Sequence, residues 1–360
     1  MTPARVRLAS FNVETFGTAP PRAEGARPTE LDERIALLRP QLIRLDADIL
    51  CLQEVDGQRT GGARKRHLVA LDRLLAETPY AGFHRLATVS RSSGQVRDKH
   101  NLVILSRWPI ARGEQILHDL VEPPSWRAPA LRPREGAAPV GNQADGGGTG
   151  EAEPMTWDRP LLAAEIAMPG HRRPLHVLNL HLKAPRAAWL VGGKDDASTW
   201  RTMAGWAQGF FLAAVKRAGQ ALEARLLVDR VFDADAEALI AVTGDFNADL
   251  QQVPVRTIRG DEEDAGNPRL AMRTLVPLER SLAVSRRFSV VHHGRPQMLD
   301  HILVSRPLLA RYRGFEVHNE ALGDELVTAV AVRGSPESFH APIVAEFRWD
   351  DKELEAEARS

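Results

Sequence analysis

The chain has 360 residues, 43% of them hydrophobic, enough to bury a large core as one big domain or two modest ones. Its 47 basic and 47 acidic residues cancel, which removes the simple electrostatic argument for a dedicated nucleic-acid or anionic-membrane binder while leaving room for a local patch. A single cysteine, Cys51, excludes an internal disulfide, and no run approaches the roughly 18 apolar residues of a membrane-spanning helix.

In chain order, "VRLASFNV" enters a strand pattern almost at once, which reads as leaving no room for a leader peptide and gives a cytoplasmic location as the expectation. Thr29 with Asp32 resembles a capping box, and Ile35, Leu38, Leu42 and Leu45 follow at helical spacing, with Pro40 predicted to kink or restart that helix. "DILCLQEV", with Cys51 as a small core residue, and "NLVILSRW" are the next strands. Residues 122 to 157 hold six prolines and six glycines with no apolar period, so they read as a mobile surface insertion unable to pack a core of its own. "LLAAEIAM" and "LHVLNLHLK" follow as strands, then a helix over about 205 to 230 with Phe211, Val215, Ala218, Leu222 and Leu226 on one stripe. "ALIAVTGDF", "MLDHILVS" and "PIVAEFRW" complete the strands, and the tail "DDKELEAEARS" is solvated. Continuous apolar runs argue for strands buried on both faces, and their mixture with helices points to a layered α/β architecture without internal repeats.

Polar residues gather at the ends of these strands. Asn12 and Glu14 follow "LASF", Glu54 follows "ILCLQ", and His181 follows "LNL". Asp245 and Asn247 follow "IAVTG", Asp300 and His301 follow "QML", and His340 precedes "APIVAEF". Burying carboxylates and amides beside apolar strands costs free energy unless they are paired or bind a metal, so their repetition implies one shared polar site. Oxygen ligands such as Glu54, Asp245 and Asn247 favour a hard cation, Mg²⁺ or Mn²⁺, over zinc, and a phosphate ester is the natural substrate of such a site. In "VTGDFNADL" the apolar run anchors a strand, and Gly244 allows a tight exit.

The motifs "FNVE", "LQEV", "NLVILSRWP", "NLHLK", "GDFNAD", "LDHILVS" and "SFHAP" occur in the order found in the endonuclease/exonuclease/phosphatase superfamily, which the chain resembles from about Arg5 to Phe347. The resemblance implies a four-layer α/β sandwich, two mixed sheets packed face to face with helices outside, as a single domain over residues 1–350 with a polar tail at 351–360. It implies a divalent-metal-dependent phosphoesterase using Mg²⁺ or Mn²⁺. Glu54 resembles the principal metal ligand, with Asn12 and Glu14 completing or orienting that shell. Asp245 and Asn247 resemble the pair that handles the attacking water and the scissile phosphate. Asp300 resembles the carboxylate that hydrogen-bonds His340, and His181 the second histidine, donating to a phosphate oxygen. The general base stays open between His340 and Asp245.

One position departs from the family pattern. Where that pattern reads Ser-Asp-His, this chain has Ser338, Phe339 and His340, and phenylalanine can neither ligate a metal nor accept a hydrogen bond. DNA or RNA is the first expected substrate, since residues 57 to 101 carry nine Lys or Arg against three Asp or Glu. A small-molecule or lipid-headgroup phosphate is the second, and a weakened or non-catalytic phosphate binder is the third. His301, His292 and His293 read as structural or surface residues, and His100 and Asn101 as residues where a substrate contact has little support. Trp189, Trp200 and Trp206 read equally as groove lining or core, and Lys183 and Arg186 as charges within reach of a phosphate.

Overall fold

A computed structural model describes residues 4–17, 31–59, 65–127, 152–196, 199–324 and 337–349. Thr29, the centre of the Pro/Gly-rich insertion at 128–151 and the tail from 350 lie outside the described residues.

Twelve strands form two six-stranded sheets. The first sheet contains β1 (Ala4–Phe16), β2 (Ile49–Val55), β3 (His84–Ala87), β4 (Asn101–Ser106), β11 (Tyr312–Val317) and β12 (Ile343–Trp349), in the order β11-β12-β1-β2-β4-β3. The second contains β5 (Ile110–Ile116), β6 (Leu161–Ile166), β7 (Leu175–His181), β8 (Leu239–Asp245), β9 (Val276–Pro277) and β10 (Asp300–Val304), in the order β9-β10-β8-β7-β6-β5. Each sheet is antiparallel except at its centre, where β1 pairs parallel with β2 and β7 pairs parallel with β8. The carboxyl ends of those two central pairs carry Asn12, Glu54, His181 and Asp245.

Alternate side chains of each strand point to opposite faces, and both faces are covered. Inward, Leu8, Cys51, Ile104 and Phe347 of the first sheet meet Ala164, Val177, Ala241 and Ile302 of the second. Outward, Phe11, Leu50 and Val103 pack under α1 (Leu31–Leu45) and α2 (Val69–Leu75), while Leu178, Ile240 and Val242 pack under α3 (Met203–Ala234) and α4 (Val253–Arg259). The result is the expected four-layer α/β sandwich.

Three local expectations need correction. The first helix runs through Pro40 without restarting. The proline removes one backbone donor, and burial of Ile35, Leu38, Leu42 and Leu45 on both sides of it holds the turns together. The long helix extends beyond its predicted ends and buries the face opposite the predicted stripe. Phe211, Leu222 and Leu226 are exposed, whereas Ala213, Gln220, Ala221, Ala224 and Leu227 face the sheet. The buried side mixes Ala213, Ala221 and Ala224 with Leu212, Leu227, Val228 and Phe232, so apolar residues recur at helical spacing on both faces and the spacing alone does not choose between them. Finally, the insertion is narrower than 122–157. Ser125–Trp126 pairs with Glu153–Pro154 at its base, and Trp157 is core, its ring N–H donating to buried Glu223.

Amides join the two sheets across the core. Gln53 on β2 donates to Asn179 on β7 at 2.8 Å, and Asn179 donates back to the carbonyls of Leu52 and Val103, each at 3.0 Å. Within the second sheet, Gly244 takes φ +134°, and a Cβ there would lie 2.0 Å from the carbonyl oxygen of Leu180, its partner on β7. Gly244→Ala should therefore lower stability by about 2–3 kcal/mol, read as a fall in the denaturant midpoint, because backbone strain and a clash act together. An unchanged midpoint would show that β7 and β8 are not held at this separation.

Candidate active site

Asp245 is the hub. It is buried at the end of β8, in register with His181 at the end of β7. Its Oδ1 accepts the backbone N–H of Asn247 at 2.8 Å. Its Oδ2 accepts from the side-chain amides of Asn12 and Asn247, each at 3.1 Å. The same oxygen lies 3.3 Å from His181 Nε2 and 3.9 Å from His340 Nε2. His340 in turn hydrogen-bonds Asp300 Oδ2 through Nδ1 at 2.8 Å. Asn12 of the first sheet, His181 and Asn247 of the second, and His340 with Asp300 thus gather around one carboxylate.

Glu54 and Glu14 occupy the other side. Glu54 Oε2 accepts from the backbone N–H of Thr15 at 2.9 Å and from its hydroxyl at 3.0 Å, and Oε1 lies 3.7 Å from His181 Nε2. Glu14 Oε2 accepts the backbone N–H of Phe339 at 2.9 Å. Asn12 is spent on orientation, since its Oδ1 accepts the N–H of Glu14 while its Nδ2 reaches Asp245. Ser338 donates its hydroxyl to the Asn12 carbonyl and so ties the 338–340 turn to β1.

The backbone is strained here. Nine described non-glycine residues take positive φ, and five of them are Glu14, Thr15, Glu54, His100 and Asn247, all at this site. Such conformations cost of order 1–3 kcal/mol each and persist where surroundings over-determine them. Arg34 of α1 supplies part of that support, donating to the carbonyls of Val13 and Thr15.

Electrostatics separate the acids and bases. Burial pushes Asp245 up to about 7, against the lowering pull of His340. Burial would lower His340, but Asp300 and Asp245 outweigh it and push it up to about 10. Burial holds His181 well below its ordinary value, reinforced by the positive charge of Arg159, so that ring is neutral. Burial opposes ionisation of Glu54, yet His100 and Arg159 hold it well below the usual carboxylate range. Glu14 is raised by burial.

Among the described residues, two groups could hold a metal. Glu54 and Glu14 are neighbouring carboxylates that repel each other, each with one oxygen engaged by a protein donor, a donor set suited to a hard cation. Ligand-type atoms of Asp245, Asp300 and His340 also lie within 4.8 Å of one another. A protonated imidazole does not ligate, and His340 is held protonated by its two carboxylates, so the first group fits a cation better.

His100 and Arg159 are residues that sequence reading undervalued or missed. His100 Nδ1 lies 3.4 Å from Glu54, and its backbone N–H is held by Asp56. The strand-edge position of His100 was the one signal available. Asn101 is structural, its amide donating to the carbonyls of Val55 and Arg97. His301 is buried: Nδ1 meets Glu279 Oε1 at 2.5 Å and Nε2 meets the Ala248 carbonyl at 2.8 Å, bracing the loop that carries Asn247. Lys183 is paired with Asp158, which also binds Lys216. Four of the nine cations in the basic stretch are paired with acids, through Arg66–Asp98, Arg73–Asp32, Arg85–Asp72 and Arg91–Asp119, and Arg64 within it lies outside the described residues.

Known proteins supply a frame for this arrangement. No curated protein sequence matches the chain significantly. The fold is similar to the endonuclease/exonuclease/phosphatase of Bacteroides vulgatus, with a TM-score of 0.54 and 15% identity, covering 96% of this chain and 100% of that one. It is similar to an endonuclease/exonuclease/phosphatase family protein of Bacteroides thetaiotaomicron, with a TM-score of 0.54, 14% identity and coverage of 97% and 96%. It is also similar to truncated TDP2 of Caenorhabditis elegans, with a TM-score of 0.52, 16% identity and coverage of 96% and 98%. These identities speak for the fold alone. The sequence profile of the Endonuclease/Exonuclease/phosphatase family matches residues 9–322, and the chain belongs to that family.

Proposed function

We propose that the chain is a divalent-metal-dependent phosphoesterase that hydrolyses phosphodiester bonds of nucleic acid by in-line attack of water. Family membership supports phosphoester hydrolysis, and the observation that carries the reading is the convergence of Asn12, His181, Asn247 and His340 on one buried carboxylate, Asp245.

Asp245 is the general base. Its proton affinity, raised to about 7, matches the abstraction of a proton from water near neutral pH. Asn12 and Asn247 fix the orientation of the carboxylate. His340, held protonated by Asp300, donates to a phosphoryl oxygen. Neutral His181 completes the wall beside Asp245 and offers its ring to the same phosphate. Glu54 and Glu14 would hold Mg²⁺ or Mn²⁺, which when bound supplies Lewis-acid stabilisation of charge on the phosphoryl oxygens and leaving group.

A second reading, a weakened phosphate binder, is favoured by Phe339. Against it stands Glu14, whose carboxylate reaches the backbone of position 339 from β1 and so brings a negative charge to the turn where the family pattern has one. We favour the catalytic reading on that ground.

Three outcomes follow. With Mg²⁺ supplied, plasmid, single-stranded DNA, RNA or a chromogenic phosphodiester should be hydrolysed, and Glu54→Ala should lower kcat by about a hundredfold or more. Activity that persists in this variant would sink the assignment. The pH profile of kcat/KM should rise through about 7, as Asp245 loses its proton, and fall above about 10, as His340 loses its own. Glu14→Gln should cost about tenfold or more in Mg²⁺ affinity while Phe339→Asp changes turnover little. A large rise on Phe339→Asp from near-zero activity would instead support the weakened binder.

A further inference from the structure

The chain leaves β7 after His181 and runs back along α3. Lys183 donates its backbone N–H to Gln220, and Ala188 donates to the carbonyl of Gly209. Since a helix rises about 1.5 Å per residue, Phe210 and Trp206 lie about 15 and 21 Å along α3 from Gln220, which contacts the chain two residues past His181. At that end large apolar side chains face solvent: Trp189 is 67% exposed, Met203 76% and Trp206 41%. Trp206 and Phe210 stack with ring centroids 5.4 Å apart, and a groove of about 360 Å³ opens between Trp200, Arg201, Met203 and Trp206. Exposed apolar groups gathered in this way mark an interaction surface and not core.

The charges on the groove decide what it takes. Arg201 lines it, paired with Asp195 at 2.8 Å, and Lys194 Nζ lies 4.7 Å from the centroid of the Trp200 ring. Residues 183 to 217 carry six Lys or Arg against two Asp or Glu, and of the six Lys183 and Lys216 share Asp158 while Arg201 and Lys194 stand at the groove. An apolar helix or acyl chains seated here would desolvate the Arg201–Asp195 pair without replacing its water, at a cost. A nucleic-acid strand meets both demands at once, its bases lying flat on aromatic rings and its phosphates meeting the cations.

We propose that this groove is a subsite for unpaired nucleotides of a strand whose phosphodiester enters the active site, with bases stacked on Trp206 and Phe210 and a phosphate against Arg201. The inference rests on the nuclease reading above and extends it from the reacting phosphate to the nucleotides beside it. It makes the substrate a single strand, or a duplex with a single-stranded extension.

The test is fluorescence anisotropy of the full chain with a labelled single-stranded 12-mer, the same sequence as a blunt duplex, and vesicles containing anionic phospholipid, in EDTA. Trp206→Ala with Phe210→Ala should weaken single-strand binding at least tenfold at every salt concentration and leave the slope of log K against log salt unchanged. Arg201→Ala should make that slope shallower, by about 0.7 for one phosphate contact. Trp206→Phe should retain affinity, and an unchanged thermal midpoint shows that the variants fold. Unchanged single-strand affinity in the double variant overturns the subsite, as does a loss of vesicle binding in its place. If the wild-type chain cleaves nucleic acid while the double variant binds normally, the subsite falls and the nuclease reading stands. A wild-type chain that neither binds nor cleaves nucleic acid overturns both.

Discussion

The hydrogen bonds that cross between the sheets are the constraint on which the site depends. Two apolar faces packed against each other lose little buried area if one slides by a residue, because hydrophobic contact has no direction. The amide of Asn179 does have direction. By accepting from Gln53 and donating to the carbonyls of Leu52 and Val103, it sets the second sheet against the first in one position. Each of these groups is buried, so breaking the set would leave polar atoms without water or partner. In that position Asn12 of the first sheet reaches Asp245 of the second, and the strand ends of both halves face one space.

A site of this kind is stable only because the rest of the fold over-determines it. Asp245, Asp300 and His181 are all buried, and three ionisable groups so close could not remain without compensation. The compensation is a division of charge. His340 carries a proton between two carboxylates, His181 stays neutral, and Glu54 is ionised beside His100 and Arg159. His181 Nδ1 and Asp300 Oδ1 are nevertheless buried without a hydrogen-bond partner among the described residues. Positive φ at Glu14, Thr15, Glu54, His100 and Asn247 adds strain in the same place. The apolar layers on either side hold this arrangement closed.

Legibility from sequence followed burial. The eight strands read from apolar runs are the eight inner strands of the two sheets, β12, β1, β2 and β4 in one and β10, β8, β7 and β6 in the other. The four that went unread, β3, β5, β9 and β11, are the four edges, where a strand is short or half exposed and carries no continuous apolar run. On α3 large apolar side chains occur on both faces, Leu212, Leu227, Val228 and Phe232 buried and Phe211, Leu222 and Leu226 exposed, so their spacing alone marked the wrong one. His301 read correctly as a structural residue, but its partner Glu279, buried with it, had no sequence signal at all.

What the amino-acid order determined by itself is local. It set which segments are inner strands, and it placed an acid, amide or imidazole at the end of each one that builds the site, because period and punctuation are properties of neighbouring residues. The tertiary structure decided everything that depends on distance between remote residues. It brought Glu14 on β1 to the backbone of Phe339, 325 positions away, where the resemblance had left a missing carboxylate. It also set the proton affinities of Asp245 and His340, which sequence reading had left undivided as rival bases. The reason is that burial and Coulomb interaction act through space, and only the packing of the two sheets fixes which charges share it.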